Sequence, residues 1–457
     1  MSEIPVNAFD MNCVSHQASG LWRHPEDRSD SYNTVGYWTD LARLLERGLF
    51  DGLFIADVLG TYDVYGGGLE AALRNASQVP VNDPAMLIAA MAAVTENLGF
   101  GLTATLTFEE PYPFARRMST LDHLTNGRIG WNIVTGYLSS ASRGVGQSQP
   151  GHDIRYDIAR DYMAVVTKLW ENSWEDGAAL RDRERGVFTD PKKVHRVTHQ
   201  GPYFNVDAIH LCEPSPQRTP VLFQAGTSRK GRAFAGDFAE CVFISGPSTT
   251  VARHSVKGLT EELRRAGRSR ESMKIFSLVT IVTGATDEIA QRKWADYRRY
   301  VSHEGALTLM SGWTGVDFSR YDLDEPVRHI RNDAIHSAID ALTIVDPSRV
   351  WTVRELAEHA AIGGMGVTFI GGPKTVADQI EAWIDETGVD GLNLAYAVTP
   401  GSFQDFADYI VPELQRRGRY KTAYQPGTLR EKLFGEQRSP YRTKASQEQE
   451  AAFVSSP

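Results

Sequence analysis

The chain has 457 residues, 42% hydrophobic and 23% charged, with a formal net charge of -9. This is the balance of a soluble globular protein with room for one large barrel or two to three ordinary domains, and its acidity argues against a nucleic-acid or anionic-membrane partner, since both need a basic face. Three cysteines without paired spacing, Cys13, Cys212 and Cys241, predict a reduced, cytoplasmic protein and not a disulfide scaffold.

In chain order the pattern is apolar strand, loop, amphipathic helix, repeated. Strands are predicted at Ile4–Phe9, Gly52–Ala56, Leu98–Thr103, Arg128–Ile133, Pro220–Gln224, Cys241–Ser245, Lys274–Val282 and Gly391–Ala395. Their consecutive Val, Ile, Leu and Phe residues are those of strands covered on both faces. Helices are predicted at Tyr37–Arg47, Ala85–Glu96, Phe114–Leu124, Tyr156–Trp170, Arg229–Asp237, Ser248–Ala266, Asp287–Tyr300, Val376–Glu386 and Phe403–Arg416. Gly48, Gly127, Gly267 and Gly388 stop helices shortly before the next strand, which gives short helix-to-strand loops.

Eight strands alternating with helices predict an α/β fold of the parallel (β/α)8 TIM-barrel type. No Gly-x-Gly-x-x-Gly follows the first strand, which disfavours a doubly wound open sheet. One barrel domain is expected over residues 1–433, with a polar arm over 434–457. Long insertions fall at about 58–80 after the second strand, 134–155 after the fourth, 171–218 before the fifth and 301–370 after the seventh. Insertions of this length are more often lids or binding elements than bare connectors. The last of them is expected to be a lid with hinges at Gly312, Gly315, Gly363, Gly364 and Gly366. No apolar run approaches the ~20 residues of a bilayer span, and no signal peptide is recognisable.

Barrel enzymes carry their chemistry at the C-terminal ends of the strands. Those ends read Phe9 to His16, Ala56-Asp57, Thr103, Asn132 to Tyr137, Gln224 to Ser228, Ser245-Gly246 and Asn393. The set is polar but lightly charged, suited to hydrogen bonding a planar heterocycle. It has no facing carboxylate pair, which weakens a glycosidase reading. Ala225-Gly226-Thr227-Ser228 leads into a helix through Arg229, Lys230 and Arg232. Basic residues oppose the dipole of a helix N-terminus, so this turn reads as a phosphate cradle, with an ordinary capped helix as the plainer alternative. His152 and Tyr156 stand one helical turn apart and can reach one ligand; Asp153 can simply cap the helix. Trp22, Trp38, Tyr62, Tyr65, Trp131 and Tyr137 either wall an apolar cavity or pack as core. The chain has no His-Glu-x-x-His or Cys-x-x-Cys, so no metal is expected.

The residues also carry a resemblance. Glu46-Arg47-Gly48-x-Phe50-Asp51, Gly127-Arg128-Ile129-Gly130-Trp131-Asn132-x-Val134-Thr135, Phe188-x-Asp190-Pro191-x-Lys193-Val194-His195, Gln224-Ala225-Gly226 and Val411-Pro412-x-Leu414-Gln415-x-Arg417-Gly418 resemble the flavin-dependent monooxygenases of the bacterial-luciferase-like superfamily. Within it the chain is similar to the group of nitrilotriacetate, EDTA and dibenzothiophene-sulfone monooxygenases. Asn7-Ala8-Phe9-x-Met11-Asn12-Cys13, Gly20-Leu21-Trp22-Arg23-His24-Pro25 and Tyr62-Asp63-Val64-Tyr65 look like the long-chain alkane and dimethyl-sulfide monooxygenase branches.

The resemblance implies FMN, used as FMNH2, with O2 as co-substrate, and a separate NAD(P)H-dependent flavin reductase. It implies a small-molecule substrate and a homodimer or homotetramer. By position it assigns FMN contacts to Asp57, Thr103, Asn132, His152, Tyr156, Ala225, Gly226, Thr227 and Ser228. It assigns pocket roles to Cys13, His16, Tyr62 and Gln78, with His16 as a candidate general acid/base. Tyr137 stands where the alkane-oxidising pattern has a histidine, and a second histidine of that pattern falls in Glu304–Leu309, where none remains. A small apolar or thioether substrate is therefore expected, with C–S cleavage of the dimethyl-sulfide type favoured. The alternatives are terminal alkane hydroxylation, deazaflavin-dependent hydride transfer and a non-catalytic flavin-binding barrel.

Overall fold

A computed structural model describes residues 3–226, 228–327, 345–346, 350–436 and 439. All eight predicted strands form, at Val6–Met11, Gly52–Ala56, Gly99–Thr105, Ile129–Val134, Val221–Gln224, Cys241–Ile244, Lys274–Thr283 and Gly391–Ala395. Each pairs in parallel with the next. The eighth closes on the first through Val6 opposite Leu392, and the sixth joins the seventh through Cys241 opposite Lys274. The result is a closed eight-stranded barrel with helices between the strands, as the alternating pattern predicts.

Side-chain alternation decides what fills it. Phe9, Phe54, Phe223, Phe243 and Phe276 form one buried cluster inside the ring. Phe54 and Phe243 have ring centroids 4.0 Å apart, and Phe223 stacks on Phe243 at 5.5 Å. Gly130 makes room for this packing: a Cβ there would lie 2.2 Å from the Phe223 ring. From below, the short helix Leu429–Phe434 closes the barrel, started by a Thr428/Glu431 capping box and seating Leu429 in the same cluster.

Several elements were not predicted. Val367–Gly371 pairs with the outer half of the seventh strand, Val279–Thr283, on the edge that the sixth strand leaves after Ser277. Two antiparallel hairpins fill the 171–218 insertion, Ala179–Asp182 with Val187–Thr189 and Val197–Gln200 with Asn205–Ala208. The 301–370 insertion contains the helices His303–Thr314 and Val353–Ala360. Part of this insertion, and most of the 434–457 arm, lie outside the described residues.

The proposed hinge glycines do other work. Gly312 lies within the His303–Thr314 helix, and Gly315 ends it in the left-handed region, with φ 70. Gly363 and Gly364 also have positive φ. Cβ atoms there would lie 2.0 Å from Thr280 Oγ1 and 2.4 Å from Gln17 Oε1. These glycines allow close packing onto the barrel mouth, a requirement that leaves the same sequence signal as a hinge.

Asp10 on the first strand faces the surrounding helices. Met11 N–H donates to its Oδ1 at 2.7 Å and the Tyr37 hydroxyl to its Oδ2 at 3.4 Å. Burial pushes its pKa from 3.8 up to about 7. With the folded pKa above the unfolded one, its stabilising contribution is full below about pH 4 and is lost as pH rises through 7. Asp10→Asn is expected to gain on the parent protein over that window, by up to about 4 kcal/mol. Denaturant midpoints of both proteins at pH 4.5 and pH 8 measure this, and an unchanged difference between them contradicts it.

Among the described residues no helix is long and apolar enough to cross a membrane. None of their His, Cys, Asp and Glu side chains group to hold a metal ion.

Candidate active site

The segment that follows the first strand is fixed by backbone bonds to two insertions. Cys13 and Ser15 bridge to Val81 and Ser77 of the first insertion, and Ala18 bridges to Ile362. Cys13 and His16 are both buried. Burial raises the Cys13 thiol well above its usual value, and the charges of Asp10 and Asp57 raise it further. It is therefore a protonated thiol and not a thiolate nucleophile. Burial lowers His16 to about 3, so its imidazole is neutral at working pH. Its ring stands edge-on to Phe9 at 4.4 Å, and its Nδ1 has no partner among the described residues. A neutral imidazole can hydrogen-bond a ligand, but it holds no second proton to give as an acid.

On the third and fourth strands Thr103 and Asn132 lie opposite each other. Asn132 Nδ2 donates to Thr103 Oγ1 at 3.0 Å, while the amide oxygen is left unpartnered. Gln224 Oε1, at the end of the fifth strand, and Asn393 Oδ1 on the eighth are likewise buried without partners. Buried polar atoms normally find a hydrogen bond. The Asn132 and Gln224 oxygens, on neighbouring strands toward the barrel mouth, are therefore suited to a ligand with ring N–H donors. Asp57, just beyond the second strand, has its pKa pushed to about 7 by burial and by the nearby Asp83, against a lowering bond from Val58 N–H.

The residues expected to form a phosphate cradle meet in space. Ser228 caps the helix Arg229–Phe238, its Oγ accepting from Gly231 N–H at 3.0 Å. His152 Nε2 lies 3.4 Å from that same Oγ, and the His152 and Tyr156 rings meet at 5.3 Å. A Cβ on Gly226 would lie 2.2 Å from Gln224 Nε2 and 3.0 Å from the Tyr156 hydroxyl, and one on Gly231 would lie 2.8 Å from that hydroxyl. Backbone, a serine, an imidazole and a phenol thus converge on one helix N-terminus, the arrangement that binds phosphate. Ala225 precedes this turn and is exposed; Thr227 lies outside the described residues. The residues present fit FMN, with a phosphate cradle beside a mouth of unpartnered amide oxygens.

A second cluster joins Tyr62, Gln78 and Tyr137 with a residue that sequence reasoning missed. Tyr62 donates to Gln78 Oε1 at 2.8 Å, lies 2.5 Å from the Tyr137 hydroxyl, and accepts from Trp313 Nε1 at 3.2 Å. Gln78 Nε2 donates to the His16 carbonyl at 2.9 Å. Burial raises both phenols, Tyr137 to about 12, so both keep their protons. The proposed aromatic wall divides here. Tyr62 and Tyr137 meet, whereas Trp38 and Trp131 are fully buried core residues, their indole N–H groups donating to Tyr32 O and Ala104 O. Trp22 is 40% exposed and belongs to neither group.

A profile of the luciferase-like monooxygenase family matches residues 14–391. The chain is 55% identical to a dimethyl-sulfide monooxygenase of Hyphomicrobium sulfonivorans, over 94% of this chain and 90% of that one. It is 46% identical to a long-chain alkane monooxygenase of Geobacillus thermodenitrificans, over 95% and 94% of the two chains. A crystal structure of a Hyphomicrobium sulfonivorans protein superposes with a TM-score of 0.91 at 54% identity, covering 98% of this chain and 96% of that one.

Proposed function

This chain belongs to the luciferase-like monooxygenase family, whose members are flavin-dependent oxidoreductases, and from that premise we propose that it oxygenates a small thioether with reduced FMN and O2. Bound reduced flavin supplies the chemistry: one oxygen atom of O2 goes to the substrate, and the other leaves as water with the flavin's two electrons and two protons. For dimethyl sulfide the oxygen enters a methyl C–H bond. The product, methylthiomethanol, then breaks its C–S bond to give methanethiol and formaldehyde.

In this reading Ser228, His152 and Tyr156 hold the phosphate at the helix N-terminus. Asn132, Thr103, Asp57 and Gln224 meet the ring system, and the Ala225–Gly226 turn brings backbone close to it. Cys13 and the neutral His16 line the reaction pocket. Tyr62, Gln78 and Tyr137 shape it and exclude water. Reduced flavin comes from a separate NAD(P)H-dependent reductase, a reading supported by the 33% identity to a nitrilotriacetate monooxygenase component A, by its name one part of a multi-component enzyme. We take the working form to be a homodimer or homotetramer in the cytoplasm.

The observation that carries the substrate choice is Tyr137. It stands, hydrogen-bonded to Tyr62, where the alkane-oxidising pattern has a histidine. The test is aerobic turnover with FMN, NADH, a generic flavin reductase and catalase, offering dimethyl sulfide and a long-chain alkane in parallel. Formaldehyde and methanethiol in equal amounts are the expected products. A primary alcohol from the alkane, with no thiol from the sulfide, overturns the substrate assignment.

A further inference from the structure

The Tyr62–Tyr137 pair has a definite hydrogen-bond direction, and the structure supplies the means to read it. A backbone carbonyl only accepts. The His16 carbonyl therefore fixes which end of the Gln78 amide faces it: Nε2 donates there at 2.9 Å. Reversing the amide would set two oxygens against each other. Gln78 Oε1 is then the atom facing Tyr62, at 2.8 Å, and an amide oxygen can only accept. Tyr62 has one proton, and that bond takes it. An indole N–H only donates, so Trp313 fills one lone pair of the Tyr62 oxygen. The bond to Tyr137 at 2.5 Å must then have Tyr137 as its donor.

We propose that Gln78, held by the His16 carbonyl, is the positioning residue of a one-way relay through Tyr62 to Tyr137, and that the relay makes the Tyr137 end of the pocket wall a hydrogen-bond acceptor. The Tyr137 oxygen, which the Trp313 indole N–H also reaches, has no proton left to offer and one lone pair still open. A group that hydrogen-bonds to it must bring its own.

The relay rests on the proposed thioether reading for its consequence. Oxygen inserted into a C–H bond beside sulfur yields an O–H, a donor that an acceptor wall complements. Oxygen added to the sulfur yields an S=O, which can only accept and meets a lone pair. The wall thus selects carbon oxygenation over sulfoxide formation from a thioether that can undergo either. Tyr62, with its proton and lone pairs occupied, positions Tyr137 and takes no part in proton transfer.

Binding tests the relay without turnover. 2-Propanol and dimethyl sulfoxide have nearly the same shape, one with an O–H and the other with only an acceptor oxygen. Their affinities for the enzyme loaded with oxidised FMN are read from ligand NMR titrations. Tyr137→Phe, which has no hydroxyl at that wall, sets the baseline ratio. The parent protein is expected to favour 2-propanol by roughly fivefold over that baseline, the effect of one hydrogen bond. Gln78→Met fills the same space but frees the Tyr62 proton, and its ratio should fall to the baseline. Gln78→Glu should keep the parent ratio, since a carboxylate accepts from Tyr62 and a protonated carboxyl can also donate to His16.

A purely space-filling Gln78 predicts the reverse order, with Met tolerated and Glu disruptive, and that result overturns the relay. So does an equal ratio in all four proteins, or a parent protein that binds neither ligand. If the preference follows the relay but dimethyl sulfide gives no methanethiol, the relay stands and the substrate assignment fails.

Discussion

Arg430→Met is expected to destabilise the protein by about 3–5 kcal/mol, the loss seen when one partner of a buried ion pair is removed. Arg430 is 1% exposed and Glu240 is 2% exposed. The guanidinium donates to both Glu240 oxygens, at 2.7 and 2.9 Å, and to the carbonyls of Thr219 and Pro220 at 2.9 and 3.0 Å. Glu240 also accepts from Leu222 N–H at 3.0 Å. The pair therefore ties the helix Leu429–Phe434 to the starts of the fifth and sixth strands. Methionine fills similar volume but leaves Glu240 charged and two carbonyls unpaired beneath the barrel. Adding Glu240→Gln removes the orphaned charge and should recover part of the loss. Denaturant midpoints of the three proteins decide it. A loss below about 1 kcal/mol for Arg430→Met would put the pair in the class of surface ion pairs.

How much of this was legible in the sequence differs by element. The eight barrel strands were readable because strands buried on both faces need unbroken apolar runs, and Leu53 to Ile55 and Val242 to Ile244 are such runs. The parts of the candidate phosphate cradle were readable because each is local: a serine cap, a glycine turn, and His152 and Tyr156 one helical turn apart. Val367–Gly371 was not readable. It follows Gly363-Gly364-Met365-Gly366, and its extended form comes from pairing with the outer half of the seventh strand, a contact no local pattern encodes. Trp313 was missed for a related reason. Most residues of the His303–Thr314 helix are buried, so no apolar stripe marks the face that meets Tyr62. Trp131, in contrast, was assignable, although the sequence reading left it open between cavity wall and core. It neighbours Asn132 on one strand, and adjacent strand residues point to opposite faces. With Asn132 inside the barrel, Trp131 faces the helices, where Phe114 packs on it at 4.5 Å.

Gly312→Val is expected to abolish oxygenation while leaving flavin bound. A Cβ at Gly312 would lie 2.0 Å from Cδ1 and 2.5 Å from Cε1 of Tyr62. The ring cannot yield easily, because its hydroxyl bonds to Gln78, Tyr137 and Trp313. The helix cannot yield easily either. Glu304 accepts from Arg74 at 2.7 Å and from Asn75 at 2.8 Å, and Asp317, beyond its other end, accepts from Gly66 N–H at 2.9 Å. Both bodies are held, so the added methyls displace one of them, at the 1–3 kcal/mol typical of an overpacked core. Either displacement breaks the Trp313–Tyr62 bond and opens the pocket wall to water. A fall in kcat/KM of at least roughly a hundredfold is expected, about 2.7 kcal/mol at the transition state. FMN affinity should hold, since no described hydrogen bond links this helix to Ser228, His152 or Tyr156. Tyr62→Ala supplies the control: it removes the ring that valine strikes, so Gly312→Val should cost little further stability in that background. If the two losses simply add, the contact between Gly312 and Tyr62 does not limit packing at this wall, and the helix is free to move as a lid.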